Sequence, residues 1–375
     1  MGQIRTLFAG FDVTLFFSVL GLNLMGLVTM YSHVGDNDYF NRQIFWILIA
    51  VIALLAAMVP DYRFLRSGNI AFYLYVVMVF LLLLVLLIGE ITLGAQSRFD
   101  LGFFSIQPSD PAKLILILVL AKYFAKRHEM IGDFSHIIIS GIYATLIFGL
   151  VFIQPDFGSA IILFFVWLGM VLVSGIKLRH LLTVFVLGAI AFALMWQFAF
   201  QDYQKQRILT FLDPLSDIQG AGYNAYQSTV AIGSGELFGK GIGYGTQSKL
   251  LFLPEYETDF IFAAFAEEWG LVGIVLLFTL FSIVIWRLLR HAIEGATNFE
   301  RLFAAGVSIL FVAHFFVHIG MNIGLLPVTG TTIPFLSYGG SHLLTEFIAV
   351  GMVMGMRRYK PIAKIDNSNL GLVEG

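Results

Sequence analysis

The stretch IAFYLYVVMVFLLLLVLLI, residues 70–88, contains no charged side chain. A run of this length matches the roughly 20 apolar residues that a helix needs to cross a bilayer. Comparable runs recur near 12–31, 43–59, 111–125, 136–153, 158–174, 181–199, 260–286, 302–326 and 343–356. A chain that is 58% hydrophobic and 12% charged could not cover a soluble fold with polar groups; ordinary domains carry about 25% charge. These segments predict an all-α polytopic integral membrane protein with about ten transmembrane helices. A large extracytoplasmic loop, about 200–258, separates the seventh from the eighth. The absence of cysteine excludes disulfides and thiolate metal sites. Only Arg5 precedes the first apolar run and no small-residue cleavage site follows it, which reads as a first span and not as a removed signal.

Positive charge orients the spans. Loops on one side carry fourteen Lys and Arg residues, clustered at 63–66, 126–127, 177–179, 287–301 and 357–364. The other side carries seven, mostly in one long loop, which weighs little in this rule. Both termini are therefore expected in the cytoplasm. Residues 1–364 read as one transmembrane domain, and 365–375 as a disordered tail. The long loop mixes aromatics, glycines and both charge signs, so it reads as a folded or re-entrant lid.

Several motifs converge on the outward side. QPSDPAKL, 107–114, reads as a helix start with Asp110 as N-cap and Pro111 at the first helical position. Lys113 follows in the first turn. This is either a capped helix with a snorkelling lysine or an acid and base pair able to hold a phosphate at a positive helix end. QPDFG, 154–158, is an ordinary turn signal that also places Asp156 between two apolar helices. GSGELFGKGIGYG, 233–245, superficially matches a phosphate-binding loop. It fails because Ser234 stands where a glycine is required and Gly241 where Ser or Thr is required. Nucleotide binding is rejected, nothing points to nucleic acid, and the stretch reads as a flexible loop. His314 and His318 share a helix face without further zinc ligands, which favours packing or helix-to-helix hydrogen bonding.

LPEYETDFIFAAFAEEWG, 253–270, runs from charge straight into an apolar segment. Intramembrane carboxylates are functional by default, yet some only pair with neighbouring helices. Glu267 and Glu268, two turns inside, are expected to be structural, paired with Lys122 or a histidine. Asp259 is reachable from outside and is the stronger candidate.

RILTFLDPLSDIQGAGYNAYQS, IGSGELFGKGIGYGTQS, LPEYETDFIFAAFAEEWG and GLLPVTGTTIPFLSYGGS resemble the SEDS proteins, the bacterial shape, elongation, division and sporulation glycosyltransferases. The resemblance covers nearly the whole chain, and the short tails and LTFLDP look more like RodA, the elongation branch, than like FtsW, the division branch, which stays as an alternative. It implies polymerisation of lipid II into glycan strands at the outer face of the bacterial cytoplasmic membrane. It further implies a class B penicillin-binding protein transpeptidase as partner, together with other elongation-complex membrane proteins. The family's essential aspartate matches Asp259. Its other motif residues match Asp110, Lys113, Asp156, Arg207 and Arg98. The chain departs from the family pattern at Asp110, usually glutamate and not followed by proline, at Glu257, usually histidine, and at Glu236, usually glycine. It departs again at His342, usually serine, and at Glu346, where a neutral residue is expected.

For a sugar hydroxyl attacking an anomeric carbon that bears a lipid pyrophosphate, inversion needs one general base and electrostatic help for the leaving group. Asp259 is the expected base, its pKa raised by partial burial. Lys113, Arg98 and Arg207 are expected on the pyrophosphates, aided by a divalent cation, Mg2+. The rival is a lipid II flippase, which calls for charge around a midplane cavity open to both leaflets. A third reading, a structural scaffold, predicts that Asp259→Asn is harmless.

Overall fold

The computed structural model describes residues 10–31, 38–92, 95–100, 102, 105–127, 134–175, 177–198, 200, 205, 209–211, 222–250 and 252–357. Its elements run α1 (Val13–Tyr31), α2 (Asp38–Ala57), α3 (Arg63–Ser67), α4 (Ile70–Ile88), β1 (Glu90–Thr92), β2 (Ala95–Asp100), β3 (Ser105–Ile106), α5 (Ser109–Ala125), α6 (Phe134–Ile153), α7 (Phe157–Val173) and α8 (Leu178–Phe198). They continue through α9 (Tyr223–Ser234), α10 (Thr246–Lys249), α11 (Ile261–Glu294), α12 (Asn298–Asn322) and α13 (Gly340–Arg357). Each of the ten apolar segments falls on a helix, and seven of these helices are long and apolar enough to cross a membrane by themselves. The others, α5, α7 and α13, have 17, 17 and 18 residues. The chain is a polytopic helical membrane protein. It is not purely helical, because β1, β2 and β3 form a small antiparallel sheet in that order. The tail 365–375 lies outside the described residues.

Inside a bilayer, helices associate through close packing and not through release of water. The chain supplies small residues where helices meet. Gly351 and Gly355 on α13 lie against α2, where a Cβ at Gly351 would fall 2.4 Å from the Leu54 carbonyl oxygen. Helix α12 is the central post, packed on α5, α7 and α11, and most of its side chains are buried. Helix α8 is its opposite: Val184 is the only buried side chain among its described residues.

Two ends of the bundle differ in chemistry. At one, Asp12 ahead of α1 pairs with Arg287 (2.6 Å) and His291 (2.9 Å), and Arg357 pairs with Glu294 (3.3 Å). At the other, the starts of α5, α7, α11 and α13 come together through the segment 327–339.

Helix α11 is broken at Gly270, whose φ of 63° is outside the helical range. The loop 235–241 fills the break with its own backbone. Lys240 N–H donates to the Glu267 carbonyl (2.9 Å) and Gly241 N–H to that of Glu268 (3.1 Å). Leu271 N–H and Val272 N–H donate to the carbonyls of Glu236 (3.0 Å) and Leu237 (3.1 Å). The groups released by the break are thus satisfied, as an apolar medium requires. Only glycine suits the contact: a Cβ on Gly270 would lie 2.2 Å from Gly239 N, and one on Gly239 2.1 Å from the Glu268 carbonyl oxygen. The glycine-rich stretch is a plug for a helix and not a flexible loop.

Candidate active site

Helix α5 starts at Ser109, so Asp110 lies in its first turn and is not the N-cap; Pro108 holds that position. The Asp110 side chain instead accepts a hydrogen bond from Lys113 Nζ at 3.1 Å, with both residues buried. The same oxygen, Oδ1, stands 3.4 Å from His342 Nδ1 on α13. His342 Nε2 in turn makes an ion-pair contact of 2.9 Å with Glu346 Oε1, one turn further along α13. Glu346 Oε2 accepts from Phe335 N–H (3.0 Å). His342 therefore stands between the carboxylates of Asp110 and Glu346. The His314 ring packs 4.8 Å from that of His342. His314 Nδ1 and His318 Nδ1 bond to the carbonyls of Thr332 (3.2 Å) and Thr331 (2.7 Å), so these histidines brace a loop and not a second helix.

Asp156 caps α7, accepting from Ser159 N–H at 3.0 Å. Its other oxygen accepts from Gln107 Nε2 (2.8 Å) and Ser109 Oγ (3.2 Å), which fastens QPDFG to QPSD. Arg98 on β2 donates to Gln107 Oε1 (3.3 Å), and its side chain is exposed on the same flank. The unforeseen sheet is what carries Arg98 there. Arg207 lies outside the described residues.

Asp259 lies two residues before α11, ahead of the N-cap Phe260, and is half-buried. Its N–H donates to the Glu255 carbonyl (3.0 Å) and its carbonyl accepts from Asn322 Nδ2 (3.0 Å), which fixes the backbone on both sides. Its Oδ2 faces Gly330, where a Cβ would lie at 3.3 Å and where φ is +69°. Neighbouring Thr329 and Thr331 lie against Gly158 at the start of α7, and Ser337 Oγ donates to the Thr258 carbonyl (2.9 Å). Ser341 Oγ, in the same segment, touches the backbone of Gln107. The segment 329–342 is thus a common wall for the Asp259, Asp156 and Asp110–Lys113 motifs. The Glu257 carboxyl, beside it, is pushed above its ordinary range by burial, partly offset by a hydrogen bond from Tyr256.

Glu267 and Glu268 are buried as expected, but not with the expected partners. Lys122 donates to the Gly68 carbonyl. Glu267 pairs with Lys240 of the plug (2.6 Å) and accepts from Thr246 N–H (2.8 Å), Thr246 Oγ (3.0 Å) and Gln247 N–H (3.1 Å). Glu268 accepts from Gly243 N–H (3.1 Å).

The fold and this layout define a helical membrane protein with a polar site at one end of its bundle. The chain belongs to the cell cycle protein family FtsW/RodA/SpoVE, whose profile matches residues 7–361. The peptidoglycan glycosyltransferase MrdB of Escherichia coli K12 is 39% identical over 93% of this chain and 94% of that protein. Stage V sporulation protein E of Bacillus subtilis is 34% identical over 93% and 97%. Among solved structures, Thermus thermophilus rod shape determining protein RodA matches with a TM-score of 0.71 and 29% identity over 94% of this chain and 98% of that one. A chain from a peptidoglycan synthase complex, described as coordinating polymerization and crosslinking, matches with a TM-score of 0.80 and 30% identity over 93% and 99%.

Proposed function

We propose that this chain polymerises lipid II into glycan strands at the outer face of the bacterial cytoplasmic membrane during cell elongation, with inversion and with Asp259 as general base. Family membership makes it an enzyme, a peptidoglycan glycosyltransferase. The observation that carries the residue assignment is Asp259 itself. It is clamped by its backbone, faces a glycine, and stands against the wall shared with the other motifs. As the acceptor hydroxyl oxygen bonds to the anomeric carbon, its proton passes to Asp259. The bond from that carbon to the pyrophosphate oxygen breaks, and the leaving group departs with the electron pair. Lys113, Arg98 and Arg207 meet its charge, and Asp110 and Asp156 hold the surrounding motifs in place.

Among the described residues no three or more acidic or imidazole side chains converge as a metal cage. The donor set suits Mg2+ taken up by one carboxylate and substrate phosphates, the usual mode for this ion. Substrate phosphates, with a carboxylate of the site, would hold it, and the ion would supply charge neutralisation on the pyrophosphate while Asp259 takes the proton. The basic end of the bundle faces the cytoplasm in this reading, with both termini. The partner is a class B penicillin-binding protein. The flippase alternative lacks support from the broken helix, because protein already fills its free polar ends.

The test is polymerisation of lipid II by the purified protein with its partner, with and without Mg2+, comparing wild type with Asp259→Asn. Strands from wild type and none from a folded variant support the reading. Equal strands from both would remove Asp259 as base.

A further inference from the structure

Lys113 is assigned to an incoming pyrophosphate, yet its ammonium is buried and held by Asp110. When Lys113 turns away, a bare carboxylate would remain in a water-poor pocket beside a newly arrived anion. Like charges so placed repel strongly at low dielectric. A second group already stands at the oxygen that Lys113 would leave. His342 Nδ1 lies 3.4 Å from Asp110 Oδ1, and His342 Nε2 lies 2.9 Å from Glu346 Oε1. Protonated imidazole donates from both nitrogens, which suits a ring between two carboxylates. Charge accounting agrees. Asp110 and Glu346 supply two negative charges against the single positive charge of Lys113, and an imidazolium makes the buried group neutral. Two further histidines lie near the group, and the Nδ1 atoms of His314 and His318 are committed to the Thr332 and Thr331 carbonyls.

We propose that His342 is a positioning residue, a cation that takes over Asp110 when Lys113 turns to the lipid pyrophosphate, with Glu346 holding it in place. This rests on reading the site as one that binds lipid II through Lys113.

The experiment measures lipid II binding and polymerisation by the full chain, with thermal melting as the folding control. His342→Gln with Glu346→Gln removes one charge of each sign, so the resting cluster stays neutral. Binding is expected to weaken about tenfold or more, because Lys113 is locked onto Asp110. A role in charge balance alone predicts wild-type binding, and that result would overturn the proposal. Asp110→Asn with His342→Gln also stays neutral but releases the lysine. Its binding is expected to recover to at least about threefold tighter than that of the first double variant, a difference of about 0.65 kcal/mol. Binding as weak as that of Lys113→Met would overturn the proposal, and this variant decides alone where the first does not melt cooperatively. Lys113→Met is the control for the underlying reading. If it binds lipid II normally, that reading fails and the inference falls with it. If it binds weakly while the first double variant binds tightly, only the takeover by His342 is lost.

Discussion

Two of the buried carboxylate sites in this molecule, at Glu267 and at Asp110, are built in opposite ways. Glu267 is met by Lys240 of the plug and by donors of α10, two of them backbone N–H groups that cannot swing away. Among the described residues, the Asp110 carboxylate is met by side chains alone, Lys113 from its own helix and His342 from α13. Both acids are buried to a similar degree. The first arrangement locks a helix break; the second can exchange partners. Burial alone therefore says little about which acid works and which one holds, whereas the kind of donor says much.

The largest expected effect belongs to Asp259, on the wall shared with Asp110. Asp259→Asn should lower polymerisation about 10²–10⁴-fold, the usual contribution of a general base, with unchanged melting. A matching loss of thermal stability would mean that Asp259, like Glu267, holds the fold. Next comes Glu267→Gln, which strands Lys240 and the plug and should cost about 3–5 kcal/mol of stability. Detergent melting curves would report it, and lipid II binding by the remaining folded protein should stay normal. Lys240→Met leaves Glu267 its backbone donors and should cost less, about 1–3 kcal/mol. A cost equal to that of Glu267→Gln would mean that the ion pair, and not the backbone, does the locking.

The smallest effect concerns Glu257. Its folded-state pKa is raised, so the folded protein binds more protons than the unfolded chain between the ordinary value of 4.5 and the raised one. Stability then falls as pH rises through that window and stays lower above it. Glu257→Gln should remove this slope and melt slightly higher at neutral pH. A steeper slope in the variant would reverse the assignment.

The helices were legible because unbroken apolar length is a strong signal, and each of the ten segments lands on one. The site motifs were legible through Asp259, Lys113 and Asp156, since charge at the edge of apolar runs stands out. Three features were not. Gly270 looks like any helix-ending glycine, and nothing local says that residues 235–241 will plug the gap. Asp110 resembles a cap because Pro111 suits a first helical position, whereas its side chain meets His342, 232 residues away. The strands β1–β3 are too short for alternation to register. In the first two cases the decisive contact joins residues far apart in sequence, and pattern reading is confined to neighbours; the strands pair locally but are too short to show.

Helix α11 also serves as a depth gauge. From Trp286, beside the basic end, to Leu271, just short of the break, the helix climbs about 22 Å at 1.5 Å per residue. The two turns from Trp269 to Ile261 beyond the break add about 12 Å, so the two halves together match a hydrocarbon core of about 30 Å. Asp259, just ahead of them, stands near the far edge of that core. In the proposed reaction a lipid-linked substrate would meet the carboxylate there while its tail stays in the bilayer.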